Sequence, residues 1–370
     1  MPRSGSAPKV AKRPLRIGVI GLGVGRFHVN YFSQVASVQV VAVADHSGRR
    51  VGGDVNAYAK HYGATAYQEG IDLLDCEELD AVSICSAPSS HRVLVERAAK
   101  RGVAVLLEKP MAPTLADCDA MIRACDPAHV AFQMDFPMRE VAPVRSLKGL
   151  LDSGDIGEPI LATADYVMGP RPTDHWVWRP EEGVGPLGEN TCHTIDVLRL
   201  LLGEVTRVYA EPSPSTGDTG GGLPEAAAFT MRFATGAVAA VVGGAVATNE
   251  QGISPWLDLF CSEGQATLTG SAHTYTRLRW SRRGRGHTAR EIALSLEPKP
   301  PSTLGVYDTY PLLDAALRRF IANLQGEDEP LASGYDGREA VRIATAIVGS
   351  CRSGLPADTP AGSGRSARVP

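Results

Sequence analysis

Short apolar runs alternate with amphipathic helical segments over residues 15–137, and this alternation restricts the possible folds more than any other feature of the chain. It is typical of βαβ units, whose strands form a parallel sheet with helices on both faces. We therefore predict an N-terminal α/β domain over residues 15–137. The predicted strands are Arg16–Ile20, Val38–Ala44, Ala81–Cys85, Val103–Leu107 and His129–Phe132, and the predicted helices include Val51–His61, His91–Arg101 and Leu115–Cys125.

After Met138 the pattern changes, and residues 138–353 are predicted to form a second α/β domain. Strand-like runs now follow one another, which indicates an open, mostly antiparallel sheet with helices on one face. Two of these runs, Ala226–Phe233 and Ala237–Ala245, predict an antiparallel hairpin. Further predicted strands are Ile160–Val167, Pro255–Cys261, Gln265–Leu268 and Tyr275–Trp280, and the predicted helices are Val141–Ser153, Asn190–Leu202, Tyr310–Gln325 and Gly337–Ser350.

The remaining segments are predicted to lack regular structure. Residues 1–14 are expected to form a flexible arm and residues 354–370 a disordered tail. Residues 212–224 and 282–301 have the composition of loops.

Composition excludes several classes of protein. Hydrophobic residues make up 44% and charged residues 21%, as in globular proteins. A net charge of −4 gives no argument for a nucleic-acid or membrane partner, and no apolar run reaches the length of a bilayer span. The seven cysteines are dispersed without a CxxC pair, which favours reduced thiols and a cytoplasmic location.

A glycine-rich turn, Gly21-Leu-Gly-Val-Gly-Arg-Phe-His28, lies between the first predicted strand and a helical segment. Gly21 permits a tight turn, and Gly23 lets the backbone approach a pyrophosphate at the helix N-terminus. The third glycine of a GxGxxG motif would stand at position 26, but Gly25 comes one residue early. Either the turn is shortened or Arg26 approaches the phosphates, and a plain tight turn is the alternative. The predicted cofactor contacts are Gly21, Gly23, Val24, Gly25, Arg26 and Phe27.

Asp45 ends the next predicted strand, where a carboxylate can accept hydrogen bonds from ribose hydroxyls. It would also repel a 2′-phosphate, which favours NAD over NADP. Arg49 and Arg50 follow closely and are able to reach a phosphate, so NADP is not excluded.

Two later strand ends carry further candidates. Ser86 and Ala87 are small and leave room for a nicotinamide ribose, while His91 either orients this loop or begins the next helix. Glu108 and Lys109 follow the run Val103–Leu107, at the edge of the sheet where ligands bind in open α/β folds. A lysine beside a nicotinamide is suited to act as an acid, a base or a carbonyl polariser.

Glu189, His193 and Asp196 have the i, i+4, i+7 spacing of one helix face. Ionisable groups beside a core-facing stripe are costly to bury, which favours a functional cleft. His193 is predicted to exchange a proton with an alcohol, and Glu189 to orient its ring. Asn190 and Asp196 are the predicted substrate contacts on this helix.

Glu189, His193 and Asp196 could instead form a structural network or bind a metal. Their spacing is not that of an HExxH motif, and we predict no metal. Trp178 precedes the helix and is predicted either to stack on a sugar or to anchor a packed loop.

Together these residues resemble the Gfo/Idh/MocA oxidoreductases, the glucose-fructose oxidoreductase and inositol dehydrogenase group. The resemblance rests on Glu108-Lys109-Pro110, on the carboxylate-x-x-x-His-x-x-Asp pattern from Glu189 to Asp196, and on the order of the glycine turn, Asp45 and Ala87–His91. It implies a Rossmann domain followed by an α/β domain whose open sheet makes a dimer or tetramer interface.

The resemblance also implies bound NAD(H) or NADP(H) and hydride transfer at a secondary alcohol or ketone of a sugar, sugar derivative or cyclitol. By position, Lys109 would contact the substrate hydroxyl and the nicotinamide ribose, and His193 would shuttle the proton. The family's usual aspartate is Glu189 here. Two other hypotheses remain: a lyase or hydrolase that acts through a transient keto sugar with bound NAD, and a regulatory protein that binds the cofactor without turnover.

Overall fold

The N-terminal domain is built on a six-stranded parallel sheet, as the alternating pattern predicts. The computed structural model describes residues 13–214, 222–248, 255–271, 273–284, 290–293 and 311–360. The strands are β1 (Leu15–Ile20), β2 (Val38–Ala44), β3 (Thr65–Tyr67), β4 (Ala81–Ile84), β5 (Ala104–Leu107) and β6 (Phe132–Met134). Their order is β3-β2-β1-β4-β5-β6, the doubly wound arrangement in which ligands bind at the carboxyl ends of the strands. Helices cover both faces, so β4 and β5 are buried along their whole length.

The helices of this domain are α1 (Gly25–Ser33), α2 (Val55–His61), α3 (Gly70–Cys76), α4 (Pro88–Lys100) and α5 (Leu115–Cys125). Strand β3 and helix α3 were not predicted from the sequence, because they are too short to give a periodic signal. It also placed β6 too early, at His129–Phe132. His129 adopts a φ of 51°, which suits a turn after α5 rather than a strand.

The C-terminal domain contains a nine-stranded mixed sheet. Its elements begin with α6 (Ala142–Asp152), β7 (Pro159–Val167), α7 (Pro186–Glu189), α8 (Thr191–Leu202), β8 (Val205–Pro212), β9 (Ala226–Phe233) and β10 (Val238–Gly244). They continue with β11 (Trp256–Cys261), β12 (Gly264–Ser271), β13 (Thr274–Arg282), β14 (Arg290–Ala293), α9 (Pro311–Leu324), α10 (Gly334–Ser353) and β15 (Ala357–Asp358). The order is β14-β13-β12-β11-β7-β10-β9-β8-β15.

Only β7 and β10 pair in parallel in this sheet, as far as the described residues extend, so the prediction of a mostly antiparallel sheet is confirmed. The predicted hairpin of β9 and β10 is also confirmed. The loop predicted for residues 282–301 is wrong at β14, which pairs with β13. A four-residue edge strand among arginines gives little sequence signal.

The two faces of this sheet differ in their surroundings. On the inner face, Ala164, Val241 and Leu257 are buried in one core with Ile195 and Leu198 of α8. The outer face, which we define by Leu161, Val242, Trp256 and Phe260, exposes large apolar side chains in the described structure.

The predicted boundary at residue 138 does not separate the two cores, because the last two long helices return to the first domain. Leu317 and Phe320 of α9 pack in one core with Ile17 and Phe32. Helix α10 contributes to both cores, through Ala340 and Val341 on one side and through Ile343 and Ile347 on the other. Contacts this distant in sequence leave no local signal.

The tail predicted for residues 354–370 begins too early. Ala357 and Asp358 pair with β8 as β15. Thr359 is buried, and its hydroxyl donates to the carbonyl of Val205 at 2.9 Å. The rest of the predicted tail, residues 361–370, and most of the predicted arm, residues 1–12, lie outside the described residues.

Candidate active site

The glycine turn has the geometry of a pyrophosphate site. Gly21 has a φ of 86°, and a Cβ there would lie 2.6 Å from the main chain of Cys85. No described atom lies within 4 Å of a Cβ built on Gly23, so the backbone is open to a ligand. Gly25 begins α1, and its Cβ would come within 2.9 Å of Val19. Gly25 therefore permits the close helix–strand packing that the third glycine of the usual motif provides.

Asp45 joins the glycine turn to the loop after β2. Its Oδ2 accepts from the amide of Leu22 at 2.7 Å, and its Oδ1 accepts from the amides of Ser47 and Gly48 at 2.9 and 2.8 Å. Partial burial opposes the charge, but these donors outweigh it and lower the pKa of Asp45. An anion at this edge fits a ribose diol, so the residues present fit NAD.

His91 does not line the cleft, which corrects its prediction as a cofactor contact. Its ring is fully buried, with Nδ1 3.0 Å from the carbonyl oxygen of Met111 and Nε2 3.0 Å from that of Ser86. Burial lowers the pKa of His91 despite these carbonyl neighbours. The ring thus fixes the loop after β4, with Ser86 and Ala87, against the loop after β5.

A cleft of about 420 Å³ separates the two domains at the carboxyl ends of β5 and β6. Lys109 enters it from the first domain, and its Nζ donates to the main-chain oxygen of Glu189 at 3.0 Å. The lining residues are Val24, Arg26, Phe27, Glu108, Lys109, Asp135, Pro137, Tyr166, Met168, Arg171, Glu189, Asn190, His193, His273, Leu312 and Leu313. Lys109 and His193, predicted from distant parts of the sequence, therefore share one cavity.

His193 is held between two aromatic rings, Phe136 at 6.2 Å and Tyr166 at 6.1 Å between centroids. Its residue is only 9% exposed. Burial, together with the positive charges of Lys109 and His273, holds the pKa of His193 well below its usual value. The imidazole is consequently neutral at physiological pH and able to accept a proton.

Glu189 does not orient His193, so that prediction is wrong. Helix α7 ends at Glu189 and α8 begins at Thr191, so Glu189 lies outside the helix that carries His193. The Glu189 carboxylate instead accepts from Arg171, at 2.7 and 3.1 Å, and from the side chain of Asn190 at 3.0 Å. Glu189 therefore positions Arg171 at the wall of the cleft.

Asp196 lies outside the cleft, which corrects its prediction as a substrate contact. Its carboxylate accepts two hydrogen bonds from Arg139, at 2.7 and 2.5 Å, and Arg139 also pairs with Asp336 at 2.9 Å. Asp196 is 1% exposed. Asp196 therefore belongs to a structural network, which was the alternative to a functional role.

Trp178 also lies away from the cleft. Its indole is buried, and Nε1 donates to the carbonyl oxygen of Pro172 at 3.0 Å. The alternative of a packed loop anchor is therefore the one the structure supports, and the loop it anchors carries Arg171.

Several lining residues were missed by sequence analysis. Arg171 stands on a loop with no motif, and His273 stands at the turn between β12 and β13 with a φ of 69°. Asp135 directly follows β6, so correct placement of that strand would have identified it by the same rule that identified Lys109. His28 was visible at the end of the glycine motif but received no role.

His28, Glu108 and Asp135 form a buried cluster below the cleft. The Nε2 atom of His28 lies 3.4 Å from Oδ2 of Asp135 and 3.9 Å from Oε1 of Glu108. The Nδ1 atom lies 2.8 Å from the hydroxyl of Ser83. Neither oxygen of Asp135 has a hydrogen-bond partner among the described residues. Burial, with Asp135 beside it, raises the pKa of Glu108 to about 7.

A parallel-sheet nucleotide domain joined through an acid–base cleft to a sheet domain defines a dinucleotide-dependent oxidoreductase. Residues 15–136 match the Gfo/Idh/MocA family, described as an oxidoreductase family with an NAD-binding Rossmann fold, and residues 144–267 match the C-terminal domain of the same family. The chain belongs to this family. It is an NAD-binding oxidoreductase, as the sequence analysis predicted.

Curated relatives extend over nearly the whole chain. The myo-inositol 2-dehydrogenase of Thermotoga maritima is 28% identical over 335 residues, which cover 89% of this chain and 94% of that protein. The D-apiose dehydrogenase of Paraburkholderia graminis is 26% identical over 360 residues, 94% of this chain and 91% of that protein. The crystal structure of a probable dehydrogenase from Thermotoga maritima superposes with a TM-score of 0.74 at 25% identity, covering 93% of this chain and 99% of that one.

Proposed function

We propose that the protein transfers a hydride between NAD and a secondary alcohol or ketone of a sugar, sugar derivative or cyclitol. The observation that carries the proposal is the convergence of Lys109 and a neutral His193 in one interdomain cleft. The relatives named as inositol and apiose dehydrogenases support a polyhydroxylated substrate. NADP remains an alternative cofactor because Arg49 and Arg50 are exposed near Asp45.

The roles of the residues follow from their charges. When bound, NAD supplies the acceptor for the hydride. His193 accepts the hydroxyl proton at a ring nitrogen, and Lys109 stabilises the developing alkoxide through its ammonium group. The main-chain contact from Lys109 to Glu189 holds the ammonium on the His193 side of the cleft. Arg171 and Asn190 offer further donors to substrate hydroxyls.

Formation of NADH over a panel of cyclitols, aldoses and aldonic acids tests this function. A substrate that is oxidised with accumulation of NADH supports the proposal. Cleavage or isomerisation of a sugar without accumulation of NADH would instead support the lyase or hydrolase hypothesis. Tight NAD binding without turnover of any substrate would favour a regulatory protein, a role that does not require an acid–base pair.

The outer face of the C-terminal sheet is proposed to bind a second copy of the chain. Leu161, Val242, Trp256 and Phe260 lie on the adjacent strands β7, β10 and β11 and are each more than a third exposed. Contiguous apolar surface of this kind marks protein–protein interfaces. A homodimer, or a homotetramer built from such dimers, follows from this surface.

A cytoplasmic location is also proposed. All seven cysteines are free thiols, and four of them are buried. Reduced thiols are typical of cytoplasmic proteins. No helix in the described part of the chain is long and apolar enough to cross a membrane.

A further inference from the structure

The cluster of His28, Glu108 and Asp135 has no role in the proton transfer proposed above. It is nevertheless costly to bury: the three residues are 0%, 7% and 1% exposed. Two carboxyl groups without full hydrogen bonding in such a place destabilise the fold unless they are neutralised or have a ligand. Glu108 and Asp135 both reach the cleft wall beside Val24 and Phe27 of the nucleotide site. The cluster therefore opens toward the nicotinamide end of the cofactor site.

The cluster holds two carboxyl groups but only one imidazole, so a single imidazolium cannot neutralise both carboxylates. Burial opposes a proton on His28, but neighbouring Cys85 and Asp135 outweigh it and raise the pKa of His28 well above its usual value. The resulting imidazolium pairs with Asp135. Glu108 accepts from its neighbouring amide, that of Lys109, at 2.9 Å, while the Lys109 ammonium is directed to Glu189. The imidazolium lies closer to Asp135, at 3.4 Å, than to Glu108, at 3.9 Å, so Glu108 is the less fully compensated of the two carboxyl groups.

Groups on the neighbouring elements must be counted in the titration of Glu108. His28 on α1, Lys109 on the same loop, Asp135 after β6 and Cys192 on α8 act on it directly, and Cys85 after β4 contacts His28. Burial raises the pKa of Cys192 to about 12, so its thiol stays neutral. Burial, with Asp135 beside it, raises the pKa of Glu108 to about 7, so the charge of this group changes near neutral pH.

We propose that Glu108, positioned by the His28–Asp135 pair, distinguishes the two redox forms of the cofactor and binds a proton when the cofactor is reduced. The oxidised nicotinamide is a cation and the reduced one is neutral. An ionised Glu108 stabilises the cation, and a protonated Glu108 suits the neutral ring. Oxidation of an alcohol transfers one hydride and releases one hydroxyl proton. When that proton passes from His193 to Glu108, His193 returns to its neutral form and the net charge of the closed cleft stays constant. The inference rests on the proposed position of the nicotinamide beside Lys109.

Binding measurements with the full chain test the inference without a substrate. Dissociation constants for NAD⁺ and NADH are measured by fluorescence titration, about one unit below and above the Glu108 pKa of about 7, with EDTA present. In the native protein NAD⁺ binding tightens as pH rises and NADH binding does not. Calorimetry in buffers of different ionisation enthalpy then detects proton release when NAD⁺ binds.

Glu108→Gln and Asp135→Asn are the test variants, and Glu96→Gln, which removes an exposed carboxylate on α4, is the matched control. At the higher pH, Glu108→Gln weakens NAD⁺ binding by about tenfold, leaves NADH binding unchanged and abolishes the proton release. Asp135→Asn either lowers the pH at which NAD⁺ binding tightens relative to NADH binding or abolishes this pH dependence. Circular dichroism establishes that each variant is folded.

Three results would overturn the inference. One is a ratio of the two dissociation constants that stays independent of pH in the native protein. Another is an unchanged ratio in folded Glu108→Gln. A third is a preference that is seen only when EDTA is left out, since a bound cation would then neutralise the cluster. Lys109→Ala then shows which proposal has failed. If this variant leaves cofactor binding and turnover unchanged, the proposed position of the nicotinamide is wrong as well. If it abolishes turnover, only the role of Glu108 is wrong.

Discussion

The ammonium group of Lys109 donates a hydrogen bond to the main-chain oxygen of Glu189 at 3.0 Å, across the boundary between the two domains. The lysine stands at the end of a strand in the nucleotide domain, and its acceptor ends the short helix before α8. This contact holds Lys109 in the cleft that His193 also lines. Neither domain by itself contains both groups.

Replacing either group should abolish turnover without abolishing cofactor binding. Positioned acid–base groups contribute on the order of 10²–10⁴ in rate. We expect Lys109→Ala and His193→Ala each to lower kcat by at least about 10²-fold once a substrate is known. Stopped-flow measurement of NADH formation gives kcat, and fluorescence titration gives the affinity for NAD. Near-native turnover of His193→Ala would show that another group accepts the proton.

Glu189→Gln serves as a comparison for these variants. Because Glu189 contacts Arg171 and not His193, this change should raise KM more than it lowers kcat. An equal fall of kcat in Glu189→Gln and His193→Ala would restore the orienting role that the structure does not show.

Asp45 should determine the choice between NAD and NADP. Its pKa is lowered, so it is an anion at all working pH values and opposes a 2′-phosphate. Asp45→Ala should weaken NAD binding by about tenfold, the effect of a lost charged hydrogen bond, and weaken NADP binding less or not at all. Competitive titration of both nucleotides measures the ratio. Native protein that binds NADP as tightly as NAD would implicate Arg49 or Arg50.

Asp196 should affect stability rather than substrate binding. Removing one partner of a buried ion pair leaves an uncompensated charge, and Arg139 keeps only part of its pairing through Asp336. We expect Asp196→Ala to lower the free energy of unfolding by about 3 kcal/mol. Asp152→Ala, which removes an exposed carboxylate of α6, should change it by less than about 1 kcal/mol. Urea denaturation measures both, and similar values for the two variants would contradict a structural role for Asp196.

The outer face of the C-terminal sheet should control assembly. A charge placed there must be desolvated when a second copy binds, so Phe260→Asp or Val242→Asp should give monomers. Light scattering at micromolar concentration measures the mass of each variant. Val93→Asp changes an exposed apolar residue of α4 and should leave the mass unchanged. A native protein that is monomeric under the same conditions would refute the proposed interface.

Stability should also depend on pH through Glu108. Its pKa is about 7 in the folded protein and near the model-peptide value of 4.5 in the unfolded chain. Between these values the folded state binds the extra proton, so this group's contribution to stability is lost as pH rises through about 7. Without cofactor, Glu108→Gln should therefore raise Tm above that pH and leave it nearly unchanged near the lower value. Thermal melts followed by circular dichroism test this, and an equal effect at both pH values would place the cause elsewhere.

Features of the fold that depend on local pattern could be predicted from the sequence. Buried parallel strands require continuous apolar runs, so β2 was placed to the residue and β1, β4 and β5 to within one residue. The rule that ligands bind at strand ends predicted Lys109, Gly21 and Asp45 as site residues without any knowledge of packing. The hairpin of β9 and β10 followed from two apolar runs separated by a short glycine turn.

The partners of the charged side chains depend on how the elements pack together and could not be predicted. The spacing of Glu189, His193 and Asp196 in the sequence is helical, but their side chains have different surroundings. Glu189 contacts Arg171, His193 lines the cleft, and Asp196 contacts Arg139. These partners lie on other elements, and spacing along one helix carries no information about them.

The same reason explains what was missed altogether. The return of α9 to the first domain and the meeting of His28, Glu108 and Asp135 join segments that are far apart in the chain. Sequence patterns report which face of an element is buried, because burial follows the period of that element. Sequence patterns do not report which residues pack against that face, because those residues come from distant parts of the chain.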